Sequence, residues 1–234
     1  MPDNAAPLLL LTRPAPQSSR FAARFTGRIE VVIAPLQEIA PLEPRLSLDG
    51  VGALIFTSEN GVRRFADMSD RRDLPVFCVG DHTAEVAQAA GLQARSAGGT
   101  AAELVALVQA AHTGGRVLHI HGRHTRGDVA GLLSAAGLEA RGVATYEQRA
   151  CARPAAFDGT LSRGRPVIAP LFSPRSADLF VKAMGQTRTA RLVLPCLSQP
   201  VRAALPMDLQ ALAPVSETPD AAALTATIEG HFSP

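Results

Sequence analysis

Tyr146 is the one tyrosine in a chain without tryptophan. A phenol can give a proton or a hydrogen bond to a departing hydroxyl. The same residue type in a strand is commonly core, with its hydroxyl satisfied locally, and both readings stand at this point. The other chemistry-bearing residues recur in one arrangement, an apolar run that stops at small polar residues and feeds a helix-like stretch. Val51 to Phe56 stops at Thr57-Ser58 and continues into Glu59-Asn60-Gly61-Val62. Val76 to Val79 runs into Gly80-Asp81-His82-Thr83, and Val117 to Ile120 into His121-Gly122-Arg123. Ile168 to Phe172 leads to Ser173-Pro174-Arg175-Ser176, and Leu8 to Leu11 to Thr12-Arg13-Pro14. A strand ending this way sets backbone N–H groups at the carboxyl edge of a sheet, where anionic ligands bind in open α/β folds. Several such edges predict a cleft lined with hydroxyls and amides.

Other chemistries lack their motifs. No Gly-x-Gly-x-x-Gly follows a strand, and no Gly-x-x-x-x-Gly-Lys-Ser/Thr is present, so neither standard nucleotide site is encoded. Gly98-Gly99-Thr100 reads as a turn ending in a helix N-cap. His119 and His121 can share a strand face, with His124 reaching from the loop beyond. No cysteine or carboxylate stands at a usual spacing from them, Asp128 being the nearest acid, so they read as loop histidines at a sheet edge and not as metal ligands. Ser-His-Asp hydrolysis needs a nucleophile elbow that is not here. Cys78 and Cys196 sit inside apolar runs, where a thiol packs as a small hydrophobe.

The totals bound the class. At 234 residues and 47% hydrophobic, the chain can bury a sizeable core in one large or two small domains. Aromatics are 4%, which predicts a core of Ala, Leu and Val. A net charge of +2 is too small to demand nucleic acid. Lys182 is the only lysine, so the basic charge is almost all arginine. The three cysteines are odd in number and far apart, as expected of free thiols in a reducing compartment. Met1 to Pro7 lacks the features of a signal peptide, and no apolar run approaches membrane length. A soluble, cytoplasmic protein is expected.

The positioning elements follow from periodicity. Leu8 to Leu11 and Glu30 to Ala34 read as strands flanking a helix-like stretch, Gln17 to Phe25, with Phe21, Ala22 and Phe25 on one face. Pro35, Pro41 and Pro44 then disfavour a long helix and suggest a crossing segment. From Val51 onwards strands and helices alternate, with helix-like stretches after Asn60, Thr83, Thr100 and Arg126. In the last of these Val129, Leu132, Leu133 and Ala136 form one apolar face. Gly91, Gly114 and Gly137 sit where C-terminal caps would. Glu139 to Ala150 is one long extended stretch, fit to cross between domains. Beyond it come a strand at Val167 to Phe172, a helix at Ala177 to Met184, a strand at Leu192 to Leu197 and a helix from about Asp220 to Glu229. This last section has too few strands for a sheet of its own, and the strands at Leu8 and Glu30 would complete it. The reading is an α/β chain of two doubly wound parallel-sheet domains joined by a two-stranded β-ladder. The first domain is discontinuous, residues 1–37 and 147–234, and residues 38–146 are inserted as the second. The crossings near Pro35 and Tyr146 would form a hinge, with Tyr146 facing the cleft.

These motifs, in this order, resemble the uroporphyrinogen-III synthase family over nearly the whole chain. The matching segments are Thr12-Arg13-Pro14, Phe56 to Val62, Val79 to Ala84, Gly122-Arg123, Val143 to Glu147 and Phe172 to Ala177. The resemblance implies a reaction on a linear tetrapyrrole, hydroxymethylbilane. Its terminal hydroxyl leaves, an azafulvene forms, and ring D attacks through its substituted carbon to give a spiro intermediate. That intermediate fragments and recloses as uroporphyrinogen III, with ring D inverted. The resemblance also implies no metal or organic cofactor, and carboxylates held by hydroxyls and amides. Tyr146 matches the family's cleft tyrosine, expected to assist loss of the hydroxyl. Ser58 and Thr83 match hydroxyl positions of the inserted domain, and Ser173 one of the first. Thr12, Arg13, Asn60, Gly80, Gly122, Arg123, Ser176 and Ser198 complete the expected substrate-binding set. One motif departs, since Ser198 and Val201 stand where the family commonly has a glycine and a threonine. The implied protein is a monomer that takes its substrate by transient handover from hydroxymethylbilane synthase. The alternative is a hinged two-domain binding or sensor protein that holds a carboxylated small molecule without turning it over.

Overall fold

The computed structural model describes residues 6–125, 127–185, 187 and 191–232. Arg126, where one helix-like stretch was expected to begin, and residues 1–5 of the N-terminal stretch lie outside them. In chain order the elements are β1 (Leu8–Leu11), α1 (Ala15–Ala22), β2 (Glu30–Ile33), β3 (Gln37–Pro41), β4 (Val51–Phe56) and α2 (Glu59–Met68). Then come β5 (Pro75–Cys78), α3 (Asp81–Ala89), β6 (Gln93–Ser96), α4 (Ala101–Ala111), β7 (Arg116–Gly122), α5 (Val129–Ala135) and β8 (Ala140–Ala150). The chain ends with α6 (Ala155–Leu161), β9 (Val167–Ile168), α7 (Pro174–Met184), β10 (Leu192–Val193), α8 (Gln199–Ala203), α9 (Met207–Gln210) and α10 (Ala221–Glu229). No helix among the described residues is long and apolar enough to cross a membrane.

Contacts divide the chain into two compact units, residues 1–38 with 149–234, and residues 39–148. The first holds a four-stranded sheet in the order β10-β9-β1-β2, parallel throughout. Alternate residues of β1 point to opposite faces, as the two-residue strand period requires. Leu9 and Leu11 pack with Phe21, Phe25, Leu224 and Ile228 from α1 and its extension and from α10. Leu10 packs on the other side with Phe157, Phe180 and Val201 from α6, α7 and α8.

The second sheet runs β3-β8-β7-β4-β5-β6. The five strands from β8 to β6 are parallel. Leu54, Phe56, Val76 and Ile120 face Val62 and Phe65 of α2 and Ala84 and Ala87 of α3. Ala53, Ile55, Phe77 and Val117 face Leu104 and Val108 of α4 and Val129 and Leu133 of α5. At the sheet's edge, the Leu42 N–H donates to the Thr145 carbonyl at 2.9 Å, and the Cys151 N–H to the Leu36 carbonyl at 2.9 Å. This ladder, β3 beside β8, contains both passages of the chain between units.

Several expectations change. The core is not built of small aliphatics alone, because six of the nine phenylalanines are fully buried. Helix α7 begins three residues before Ala177, because Ser173 and Ser176 form a capping box and Pro174 suits the first turn. The strands expected at 167–172 and 192–197 shrink to two residues each. Pro170 and Pro195 have no N–H for the ladder. The chain stays extended beyond them, pairing only through isolated bridges at Leu171, Cys196 and Val215. On α5, Val129 and Leu133 are buried, whereas Leu132 is 48% exposed. Gly91 and Gly137 take left-handed conformations after α3 and α5, and the N–H groups of Leu92 and Leu138 reach back to Ala87 and Leu133. Gly114 is not such a cap, since α4 ends at an extended His112.

Candidate active site

Tyr146 lies on β8 opposite Gly122 of β7, just past a register shift between His121 and Gly122. The Arg123 N–H donates to the Tyr146 carbonyl at 2.8 Å and pins the backbone there. A Cβ built on Gly122 would stand 2.6 Å from Cε2 and 2.8 Å from Cζ of the tyrosine ring. Glycine is therefore what lets the ring lie against β7. The tyrosine is 7% exposed.

The segment after β4, which pairs with the other side of β7, brings a hydroxyl to the same recess. Ser58 lies two residues past β4 and caps α2, its Oγ accepting the Asn60 N–H at 3.2 Å. The first turn of α2 presses onto β7, and a Cβ on Gly61 would stand 2.8 Å from the Ile120 carbonyl oxygen. Burial pushes the phenol of Tyr146 above its ordinary value; hydrogen bonds from Ser58 and the Gly122 backbone pull it down, and the Glu59 carboxylate pushes it up. The net direction is upward, so the phenol keeps its proton at neutral pH.

Two further polar groups face the same recess. His119 is 3% exposed on β7, and its Nε2 lies 3.2 Å from Thr57 Oγ1. Burial, reinforced by His121, pushes its imidazole down to about 3, against a smaller upward pull from Asp128. The ring is neutral across the physiological range. The His119 and His121 rings are 4.8 Å apart, on one strand face. His121 Nδ1 lies 2.8 Å from the Gly122 carbonyl oxygen, which can only accept, so that nitrogen carries the proton. Neither histidine is a loop residue as expected; both belong to β7, and only His124 lies in the loop. Among the described residues, no three His, Cys, Asp or Glu side chains converge to hold a metal. The recess has a volume of about 210 Å³ and is lined by Thr57, Ser58, His119, Gly122, His124 and Tyr146, among others.

Of the expected residues in this unit, Ser58, Gly122 and Tyr146 come together in the recess. Asn60, Gly80, Thr83 and Arg123 stand at the same sheet edge without lining it. Gly80 caps α3, and Thr83 is buried in its first turn. His82 Nε2 lies 3.6 Å from Glu59 Oε2, which brings the starts of α2 and α3 close. Arg123 pairs with Glu147 at 2.5 Å. Thr57 and His119 were not expected in a site. Their only sequence signal is a hydroxyl at a strand end and a polar side chain on an otherwise apolar strand face.

The remaining expected residues belong to the other unit. Thr12 is buried after β1, and its carbonyl accepts the Leu36 N–H. The Arg13 guanidinium lies over the Phe172 ring at 4.3 Å, a cation–π stack. Ser173 Oγ accepts the Ser176 N–H at 3.1 Å. Ser176 is 3% exposed; its hydroxyl accepts from the N–H groups of Phe172 and Ser173 and donates to the Ser173 carbonyl at 2.7 Å. Ser198 stands at the start of α8 with no hydrogen bond from its side chain to that helix. Val201 is buried in the core.

A family model described as HEM4, uroporphyrinogen-III synthase HemD, matches residues 21–226. Comparison with curated proteins by sequence gives no match. Among solved structures, uroporphyrinogen-III synthetase from Helicobacter pylori superposes with a TM-score of 0.68 at 15% identity, covering 96% of this chain and 99% of that one. A selenomethionine-labelled mutant of uroporphyrinogen III synthase from the extreme thermophile Thermus thermophilus gives 0.54 at 15% identity, covering 96% and 98%. At such identity these likenesses speak to the fold.

Proposed function

Because the chain belongs to the uroporphyrinogen-III synthase family, we propose that its chemistry is carried by the recess around Tyr146. The family's reaction is that of a lyase in porphyrin and heme biosynthesis, closing hydroxymethylbilane to uroporphyrinogen III with ring D inverted. Its first step breaks a carbon–oxygen bond. The pyrrole nitrogen pushes electrons toward the hydroxymethyl carbon and gives up its N–H proton, and the hydroxyl departs with one proton as water, so that azafulvene and water balance the step. Tyr146 donates a hydrogen bond to that departing oxygen. The observation that carries this assignment is a buried phenol, held protonated and fixed against Gly122 at the wall of a polar recess. So weak an acid acts chiefly as a hydrogen-bond donor, strongest when negative charge builds on the leaving oxygen. Ring D then attacks the azafulvene, the spiro intermediate forms, and it reopens and recloses.

The substrate's acetate and propionate groups need donors. Thr12, Arg13, Asn60, Gly80, Thr83, Arg123, Ser173 and Ser198 stand at or just beyond the carboxyl ends of parallel strands, where side chains and amides can provide them. Ser198 is the best placed to replace the family's threonine, because its hydroxyl is not used in capping, whereas Val201 offers no donor. The enzyme acts in the cytoplasm as a monomer and takes its unstable substrate by transient handover from the enzyme that makes it. The free thiols of Cys78 and Cys196, pushed up by burial to about 12 and about 11, suit a reducing compartment.

The test is product identity. Purified, chelator-treated protein given enzymatically generated hydroxymethylbilane should release the type III isomer. Only the type I isomer, which forms without catalysis, would contradict the reading.

A further inference from the structure

Arg64 lies on α2, three residues after the Gly61 that sets this helix close on β7. Its side chain is 15% exposed and reaches the backbone at the edge of the sheet. Arg64 Nε donates to the Thr145 carbonyl at 3.2 Å, and Nη2 donates to the Leu42 carbonyl at 3.1 Å. Nη2 also meets Glu43 Oε1 at 3.0 Å, and Nη1 meets Asp67 Oδ2 at 3.3 Å. Those two carboxylates are exposed, so their ion pairs hold little. The carbonyl contacts differ, because Thr145 is fully buried. Its carbonyl accepts from the Leu42 N–H at 2.9 Å as well as from Arg64, which occupies both lone pairs. The Thr145 hydroxyl has no hydrogen-bond partner among the described residues, so hydrogen bonds hold this residue through its backbone.

We propose that Arg64 is a positioning residue that acts on the substrate through Tyr146. The Thr145 carbonyl belongs to the peptide unit that carries the Tyr146 nitrogen, so the arginine fixes that unit directly. The Tyr146 carbonyl is held from the other side by the Arg123 N–H at 2.8 Å. The ring rests against Gly122, where a Cβ would stand 2.6 Å from it. Three anchors thus set where the phenol stands at the wall of the recess. Arginine suits the task because its planar fork offers several donors in fixed directions, whereas a lysine ammonium is a point charge on a flexible stem. The same helix that presents Ser58 to the recess therefore also sets the backbone of the tyrosine. This inference rests on the assignment of Tyr146 to the departing hydroxyl.

The chain provides its own probe. With one tyrosine, the ζ-carbon NMR signal of tyrosine-labelled protein reports Tyr146 alone. Arg64→Lys keeps the charge and loses the fork, so the ζ-carbon signal should move. Turnover, measured well below the melting temperature of each variant, should fall roughly tenfold, since small misplacements of a catalytic group are costly. Added to Tyr146→Phe, the same substitution should lower turnover no further. Glu43→Gln, which removes an ion pair and leaves both carbonyl contacts, should change neither signal nor turnover. An unmoved ζ-carbon signal, or equal losses from Arg64→Lys in both backgrounds, would overturn the inference. So would a loss of stability with turnover kept, which would make Arg64 a structural clamp only. A harmless Tyr146→Phe would instead overturn the role of Tyr146 itself, so the two failures are distinct.

Discussion

The two units repeat one device, a parallel strand that ends in hydroxyls at the start of a helix, and use it differently. After β9 the hydroxyls are turned inward. Ser173 and Ser176 satisfy each other's backbone, and Ser176 has three backbone partners and almost no exposure. After β4 the hydroxyls face a recess. Thr57 meets a neutral histidine, and Ser58 and Tyr146 line the same wall. The same local sequence grammar thus serves helix capping in one unit and site construction in the other. What separates them is the neighbouring strand. Beside β4, β7 ends in Gly122 with Tyr146 of β8 against it, which leaves a wall of polar groups, while β9 has a leucine-rich neighbour in β1.

Substitutions on each side sharpen this contrast. The largest effect should come from Gly122→Ala. The new methyl group needs space that the Tyr146 ring occupies, and displacing a catalytic group by about 1 Å can cost on the order of a hundredfold. Turnover should fall by that order while the overall fold, read by circular dichroism, persists. On the other side, Ser176→Ala strands two backbone N–H groups and should cost about 2 kcal/mol of stability in urea denaturation. Its kcat/KM should stay within about twofold of the parent. The reverse pattern would make Ser176 a substrate ligand.

Acid sensitivity separates the units as well. The unfolded chain takes up the His119 proton near its ordinary value of 6.5, and the folded chain only near 3. Below about pH 6.5 the unfolded state binds more protons, so stability falls with pH until about pH 3. At pH 5 the loss from this group is about 2 kcal/mol. His119→Gln should flatten that acid limb in denaturation measured across pH, and an unchanged limb would mean the imidazole is not held neutral by burial. The smallest effect concerns Ser198. Ser198→Ala should raise KM by roughly fivefold, one hydrogen bond to a carboxylate, with kcat and melting temperature nearly constant.

The apolar strands β1, β4 and β5 are visible in the sequence because they are buried on both faces and read as hydrophobic runs, and β7 is visible through Val117, Leu118 and Ile120 despite its histidines. The polar strand β6, Gln93 to Ser96, is not, since an edge strand needs no apolar face. Strand β3 is hidden among prolines that argue against a helix and say little about a strand. The capping of α7 is written in Ser173-Pro174-Arg175-Ser176, although apolar periodicity alone begins only at Ala177. In the site, Tyr146 stood out by being alone. Its contact with Gly122 was not legible, because it depends on a register shift between β7 and β8 that no local pattern records. The buried position of His119 on β7 is hidden for a similar reason. Burial is a property of the assembled sheet and the helices covering it, and a histidine in sequence carries no mark of it.

One preparation of Tyr146→Phe tests the role of the phenol. Removing the hydroxyl leaves the ring and its packing on Gly122 in place. If the phenol serves the departing hydroxyl, turnover of hydroxymethylbilane to the type III isomer should fall tenfold or more, while the melting temperature stays within about a degree. If turnover is unchanged and the melting temperature drops, the phenol only satisfies its neighbours, and the recess around Tyr146 is not where the hydroxyl leaves.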